Sequence, residues 1–148
     1  MLEYKIVEKE QFTVMGVSRR FHTETSYEEI PAFWREHAES EMGKIVCGMY
    51  GICTDSDDQS FDYLIADDCC PGSEIPGGLV TRVIPAGTWA VFPCRGELPK
   101  ALQDVNTKIW SEWLPSCKAY RLAGSCNVEM YTEDRNYSEI WIPVEKNE

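Results

Sequence analysis

The feature that most constrains this chain is an internal repeat. Glu29-Ile30-Pro31-Ala32-Phe33-Trp34 is echoed by Glu97-Leu98-Pro99-Lys100-Ala101-Leu102. Each copy follows a strand-like run, opens a helical pattern of similar length and is followed by a hairpin. In those hairpins Phe61-Asp62-Tyr63-Leu64-Ile65 takes the slot of Ser138-Glu139-Ile140-Trp141-Ile142. Self-similarity at this spacing signals a duplicated unit. The predicted fold class is α+β: tandem β-α-β-β units with pseudo-two-fold symmetry, an antiparallel sheet, two main helices and a central ligand groove. One domain is expected over residues 1–148, with repeat one at about 1–68 and repeat two at about 79–148. A groove between repeats is a common place for a ligand.

The local signals fill in this frame. Residues 4–7 and 12–18 read as one interrupted strand or two short ones. Ser26-Tyr27-Glu28-Glu29 has capping-box spacing. A helix is expected to begin at Pro31, with Ile30, Phe33, Trp34, Ala38 and Met42 at helical spacing and Gly43 at its end. Residues 45–53 read as a strand interrupted by Gly48 and Gly51. Residues 54–60 read as a turn and 61–66 as the returning strand. The stretch 67–78, with its prolines, glycines and Cys69-Cys70, reads as the linker between halves. Strands are expected at 79–84 and 88–94. A second helix is expected from near Pro99, with Leu98, Leu102, Val105, Ile109 and Trp113 as its buried stripe and Pro115 as its stop.

The chemistry is expected on the last hairpin. Its arms are residues 127–132 and 138–144, with a polar turn at 133–137. Side chains alternate along a strand. Val128 and Met130 therefore share one face of the first arm, as do Ile140 and Ile142 on the second. These apolar faces must match, because one of them packs on helices, so Glu129, Tyr131, Glu139 and Trp141 share the other. Such a face is either a solvated outer surface or a cation pocket. Aromatic rings attract a cation at about 0.5–2 kcal/mol each, and a partly buried carboxylate supplies the counter-charge. The repeat places Tyr63 opposite the Glu139 region, with Tyr50 joining from the neighbouring strand. Trp34 and Trp110 read first as core packing and second as further walls.

Composition excludes several classes. The formal net charge of −11 argues against direct nucleic-acid binding, which needs basic patches, and suits attraction of cations. No apolar run approaches the roughly 20 residues of a membrane helix. The first residues lack the layout of a signal peptide. On those two grounds a cytoplasmic location is expected, and seven cysteines, an odd count, fit reduced thiols better than a disulfide framework. His22 and His37 lie far from them in sequence, so no metal site and no cofactor are expected. His37 reads as a surface or packing residue. Asp55, Asp57 and Asp58 lack the glycine and distal glutamate of a calcium loop.

The order and identity of these pieces resemble the GyrI-like small-molecule-binding domain, which is also the effector-binding module of AraC- and MerR-type multidrug regulators. The matching residues include 12–18, 30–34, Tyr50-Gly51-Ile52-Cys53, Phe61-Asp62-Tyr63, Pro85-Ala86-Gly87-Thr88, Trp113-Leu114-Pro115, Val128-Glu129-Met130-Tyr131 and Glu139-Ile140-Trp141-Ile142-Pro143-Val144. The resemblance implies a module binding lipophilic or cationic small molecules in an aromatic, acidic pocket. Glu129 and Glu139 correspond to the pocket glutamates, Tyr131 and Trp141 to the hairpin aromatics, and Tyr63 to the repeat-one position. Trp141 stands where relatives often carry tyrosine. A stand-alone form is expected, without the DNA-binding part of the regulators. The alternatives are a hydrolase of strained electrophilic molecules with Glu139 as its base, and an inhibitor of a protein partner such as DNA gyrase. A non-enzymatic role is the leading reading.

Overall fold

The computed structural model describes residues 2–54, 57–69, 74–75, 77–98, 100–124, 126–132 and 136–147. Nine described strands form one antiparallel sheet, in the order β1-β6-β9-β8-β3-β4-β2-β5, with β7 pairing beside β8 on β9. They are β1 (Lys5–Lys9), β2 (Phe12–His22), β3 (Tyr50–Thr54), β4 (Ser60–Asp68), β5 (Val80–Ile84), β6 (Gly87–Arg95), β7 (Tyr120–Leu122), β8 (Asn127–Tyr131) and β9 (Tyr137–Lys146). The order is symmetric about the β3–β8 pair. Within each repeat the hairpin lies beside the long strand that precedes the helix, as β3-β4-β2 and β8-β9-β6. The first strand of each repeat crosses over: β1 pairs with β6, and β5 with β2. Duplication thus becomes a single sheet, because each half supplies an edge strand to the other.

Helix α1 (Ser26–Glu39) starts five residues before Pro31, which lies inside it. Pro31 is still within the early turns of the helix. Acidic Glu28 and Glu29 sit in the first turn, where the helix dipole favours them. The helix ends at Glu39 with Ser40 as its cap, ahead of Gly43, which lies in a separate 3₁₀ turn (Met42–Lys44). The strand expected from residue 45 begins only at Tyr50. Before it, the backbone N–H groups of Cys47, Gly48 and Met49 all donate to the Asp67 carboxylate at 2.8–2.9 Å. Asp67 and Asp68 therefore close β4 and do not open the linker. Of the Asp55–Asp58 group, Asp57 ties the turn by accepting from the N–H groups of Gln59 and Ser60. Those bonds hold its carboxyl down to about 2.

Helix α2 (Lys100–Lys108) runs into a π-helical turn (Ile109–Trp113) and a last helical turn (Leu114–Ser116). Pro115 falls in the first turn of that final piece, where no intrahelical N–H is needed, so it does not stop the chain from coiling. Strand β7, unforeseen in the sequence, follows. Pro99, Asp55, Cys70 and the part of the predicted turn at 133–135 lie outside the described residues.

The sheet has two apolar faces. Phe33 of α1 packs with Phe21, Tyr63 and Ile65. Leu102 and Ile109, from α2 and its extension, pack with Ala90, Phe92, Ile140 and Ile142. The opposite face carries Val14, Ile52, Leu64, Trp89, Val91, Val128 and Trp141. Among the described residues no helix is long and apolar enough to cross a membrane.

Candidate functional site

The register of the β8–β9 hairpin decides which side chains can meet. Directly opposed residues of an antiparallel pair point to the same face. Val128 opposes Trp141, Glu129 opposes Ile140, Met130 opposes Glu139, and Tyr131 opposes Ser138. The expectation that Glu129, Tyr131, Glu139 and Trp141 share a face is therefore wrong by one residue of register. Glu129 and Tyr131 share the helix face with Ile140 and Ile142. Glu139 and Trp141 share the opposite face with Val128 and Met130. The premise that failed is that apolar faces must match. Here both faces of the sheet carry buried apolar residues, so an acidic strand position can sit beside an isoleucine.

On the helix face, Glu129 meets Tyr63 from β4 across β3. Tyr63 Oη donates to Glu129 Oε1 at 2.7 Å, and Tyr131 Oη donates to the same oxygen at 2.6 Å. Trp34 Nε1, from α1, donates to Tyr63 Oη at 2.9 Å. The Trp34 and Tyr131 rings meet edge to face at 5.3 Å. Gly51 makes this convergence possible. A Cβ there would stand 2.1 Å from Tyr63 Oη and 2.7 Å from Glu129 Oε1. Gly48, at φ +86°, does the same for the indole: a Cβ would lie 2.5 Å from the Trp34 ring. Burial pushes the Glu129 carboxyl above the ordinary carboxylate range, and the two phenol donors oppose that displacement. Burial and then the Glu129 charge hold the Tyr63 phenol well above its own ordinary value.

These residues floor a cleft of about 870 Å³ between the two helices. Tyr27, Ile30, Pro31 and Trp34 form the α1 wall; Leu98, Leu102, Asn106 and Trp110 form the other; Cys53, Phe61, Asn127 and Ile140 extend the floor. Its size lies within the range of small-molecule sites. Trp34 and Trp110 are thus wall residues, with Trp110 partly exposed and its Nε1 donating to Asn106 Oδ1 at 3.0 Å. The π-helical turn places Trp110 one irregular turn past Asn106, a local distortion of the kind common at functional sites. Tyr27, Phe61 and Asn127 were missed in the sequence. Phe61-x-Tyr63 and Asn127-x-Glu129-x-Tyr131 carried the signal, since alternation puts each set on one face.

Glu139, Trp141 and Tyr50 lie away from this cleft. Both oxygens of Glu139 are engaged: Oε2 accepts from Tyr137 Oη at 2.6 Å and Oε1 from Trp141 Nε1 at 2.9 Å. Burial and Glu139 push the Tyr137 phenol up to about 12. Glu139 borders a surface pocket of about 130 Å³, a fraction of the cleft's size. Lys9 Nζ stands 4.0 Å from the centre of the Trp141 ring. The cation that an indole beside a carboxylate calls for is supplied here by the chain itself. Tyr50 is buried against Phe12 and Trp141, and its Oη donates to Asp68 Oδ1 at 3.2 Å. His37 is buried, with Nε2 2.7 Å from the carbonyl of Val46.

A duplicated β-α-β-β sheet with two helices over one face defines a GyrI-like effector-binding fold. The family model of integron-associated effector binding proteins, Cass2, matches residues 5–144, and the chain belongs to that family. Solved structures share the fold. SAV2435 bound to tetraphenylphosphonium is 19% identical with a TM-score of 0.83, over 97% of this chain and 94% of the other. The integron cassette protein VCH_CASS2 from Vibrio cholerae is 22% identical with a TM-score of 0.77, over 96% and 95%. The EcmrR C-terminal domain is 19% identical with a TM-score of 0.57, over 99% of each chain. No curated protein matches the chain.

Proposed function

We propose that this protein binds lipophilic cations in the cleft between α1 and α2, with Glu129 as the counter-charge. The observation that carries the reading is a desolvated carboxylate at the floor of an aromatic cleft. It is held by two phenols, with no cationic hydrogen-bond partner among the described residues. An organic cation brings the missing charge, and its apolar body fits walls of Tyr27, Trp34 and Trp110. The net charge of −11 draws cations and disfavours direct contact with nucleic acid. The role is that of a drug or effector binder acting without catalysis. A cytoplasmic location is part of this reading, and a cysteine count that fits reduced thiols is compatible with it. The hydrolytic alternative with Glu139 as base has little geometric support, because both of its oxygens are occupied and it faces away from the cleft.

The test is a titration with tetraphenylphosphonium, read by quenching of tryptophan fluorescence. The wild type is expected to bind, and Glu129→Gln to bind about tenfold or more weakly, as loss of a charge-assisted contact implies. Equal affinity in the two proteins would remove Glu129 from the role.

A further inference from the structure

The two oxygens of Glu129 differ, and the difference bears on ligand class. Both phenol protons, from Tyr63 and Tyr131, go to Oε1. Tyr63 Oη in turn accepts the Trp34 N–H. Oε2 accepts no hydrogen bond among the described residues, and Glu129 lines the cleft. Two residues back on the same strand face, Asn127 adds a side-chain carbonyl that is buried and accepts nothing. The floor therefore holds acceptor capacity that the fold leaves unfilled. Glu139 is the contrast, with one donor for each of its oxygens.

Resting on the proposed cation-binding role, we propose that the cleft selects cations whose charged end carries N–H groups, such as protonated amines and amidinium-like systems, over permanently alkylated or arylated cations. A cation with an N–H satisfies Oε2 with a charge-assisted hydrogen bond. A fully substituted cation neutralises the charge but covers Oε2 without a donor. Sites built to bond a polar hydrogen reject analogues that lack it much more sharply than apolar pockets discriminate size.

The test uses two flat cations of one charge. One is a rhodamine methyl ester with unsubstituted amino groups; the other is its tetramethyl analogue, tetramethylrhodamine methyl ester. Both are titrated by fluorescence polarisation against wild type and Glu129→Gln, with tetraphenylphosphonium as reference. The amino form is expected to bind the wild type about tenfold more tightly, although the tetramethyl form is more apolar. In Glu129→Gln the amide keeps its oxygen on the phenols and turns its NH₂ toward the cleft. The amino form then loses more affinity than the tetramethyl form, and the preference collapses. Equal or reversed affinities in the wild type would overturn the selectivity while leaving cation binding standing. A preference undiminished in Glu129→Gln would also overturn it. Failure of all three cations to bind would overturn both readings.

Discussion

If Glu129 holds its charge for a ligand, as proposed, that charge should weaken the empty protein, and the cost can be measured. Its folded-state pKa lies above the unfolded value because burial outweighs its two phenol donors. A carboxyl raised in this way is best accommodated when protonated. That advantage is fully present below the unfolded pKa of about 4.3 and is lost as pH rises through the folded-state value. At neutral pH the ionised group is therefore a net cost. Glu129→Gln keeps the shape, keeps an oxygen for Tyr63 and Tyr131, and removes the charge. Exchanging two charge-assisted bonds for neutral ones loses about 1 kcal/mol each. Leaving a carboxylate out of water costs several kcal/mol, and the direction of the pKa says that this second effect wins. The expected outcome is a variant about 1 kcal/mol more stable than wild type at pH 7, or about 2–4 °C in Tm for a chain of this size. The gain should shrink as pH falls and vanish near pH 4, where both proteins are neutral at this position. Thermal unfolding of the ligand-free proteins across pH 4–8 reads it directly. A Glu129→Gln protein that is less stable by the same amount at every pH would refute the reasoning, because it would make the phenol bonds and not the buried charge decisive.

Two further substitutions separate the cleft from the opposite face. Gly51→Ala puts a methyl group against Tyr63 Oη and Glu129 Oε1. It should destabilise the protein by about 1–3 kcal/mol in urea unfolding and weaken tetraphenylphosphonium binding, and unchanged affinity would show that the Tyr63–Glu129 contact is not needed. Glu139→Gln should leave that affinity within about twofold at 0.15 M salt, since its charge acts from the other face and is screened beyond about 8 Å; a tenfold loss in the same titration would return the site to Glu139.

What could be read in the sequence was whatever depends on repetition and alternation. The echo of Glu29–Trp34 in the second half implies two like units, and the nine-stranded order has that symmetry. The repeat also placed Tyr63 opposite the Glu139 region, whereas the structure sets Tyr63 against Glu129 on the helix face and leaves Glu139 on the other. What misled was hairpin register. Strand periodicity sorts residues within one strand, but the pairing of two strands depends on a turn whose geometry composition does not specify. A slip of one residue moved Glu139 and Trp141 to the far side. Nor could the sequence reveal the hold of Asp67 on three consecutive N–H groups, which cuts short the strand expected from residue 45. That is a long-range tertiary contact with no local signature.

The two hairpin glutamates then show how the carboxylate proposed to bind a ligand differs from one that the fold satisfies. Both lie next to aromatic side chains, and by residue type they are indistinguishable. Glu139 receives a separate donor on each oxygen, and its indole neighbour is capped by Lys9. Every demand it makes is met by the chain. Glu129 has two donors crowded onto one oxygen, and a second oxygen with no hydrogen-bond donor and no cationic hydrogen-bond partner among the described residues. The fold tolerates that imbalance because Gly51 lets Tyr63 reach across β3 and hold the carboxylate in place. An incompletely satisfied charge held rigidly beneath aromatic walls is preorganised for a ligand, because little need be reordered when one arrives. The glutamate proposed to bind the ligand is therefore recognised by what the protein withholds from it, which is a property of the register and not of the residue.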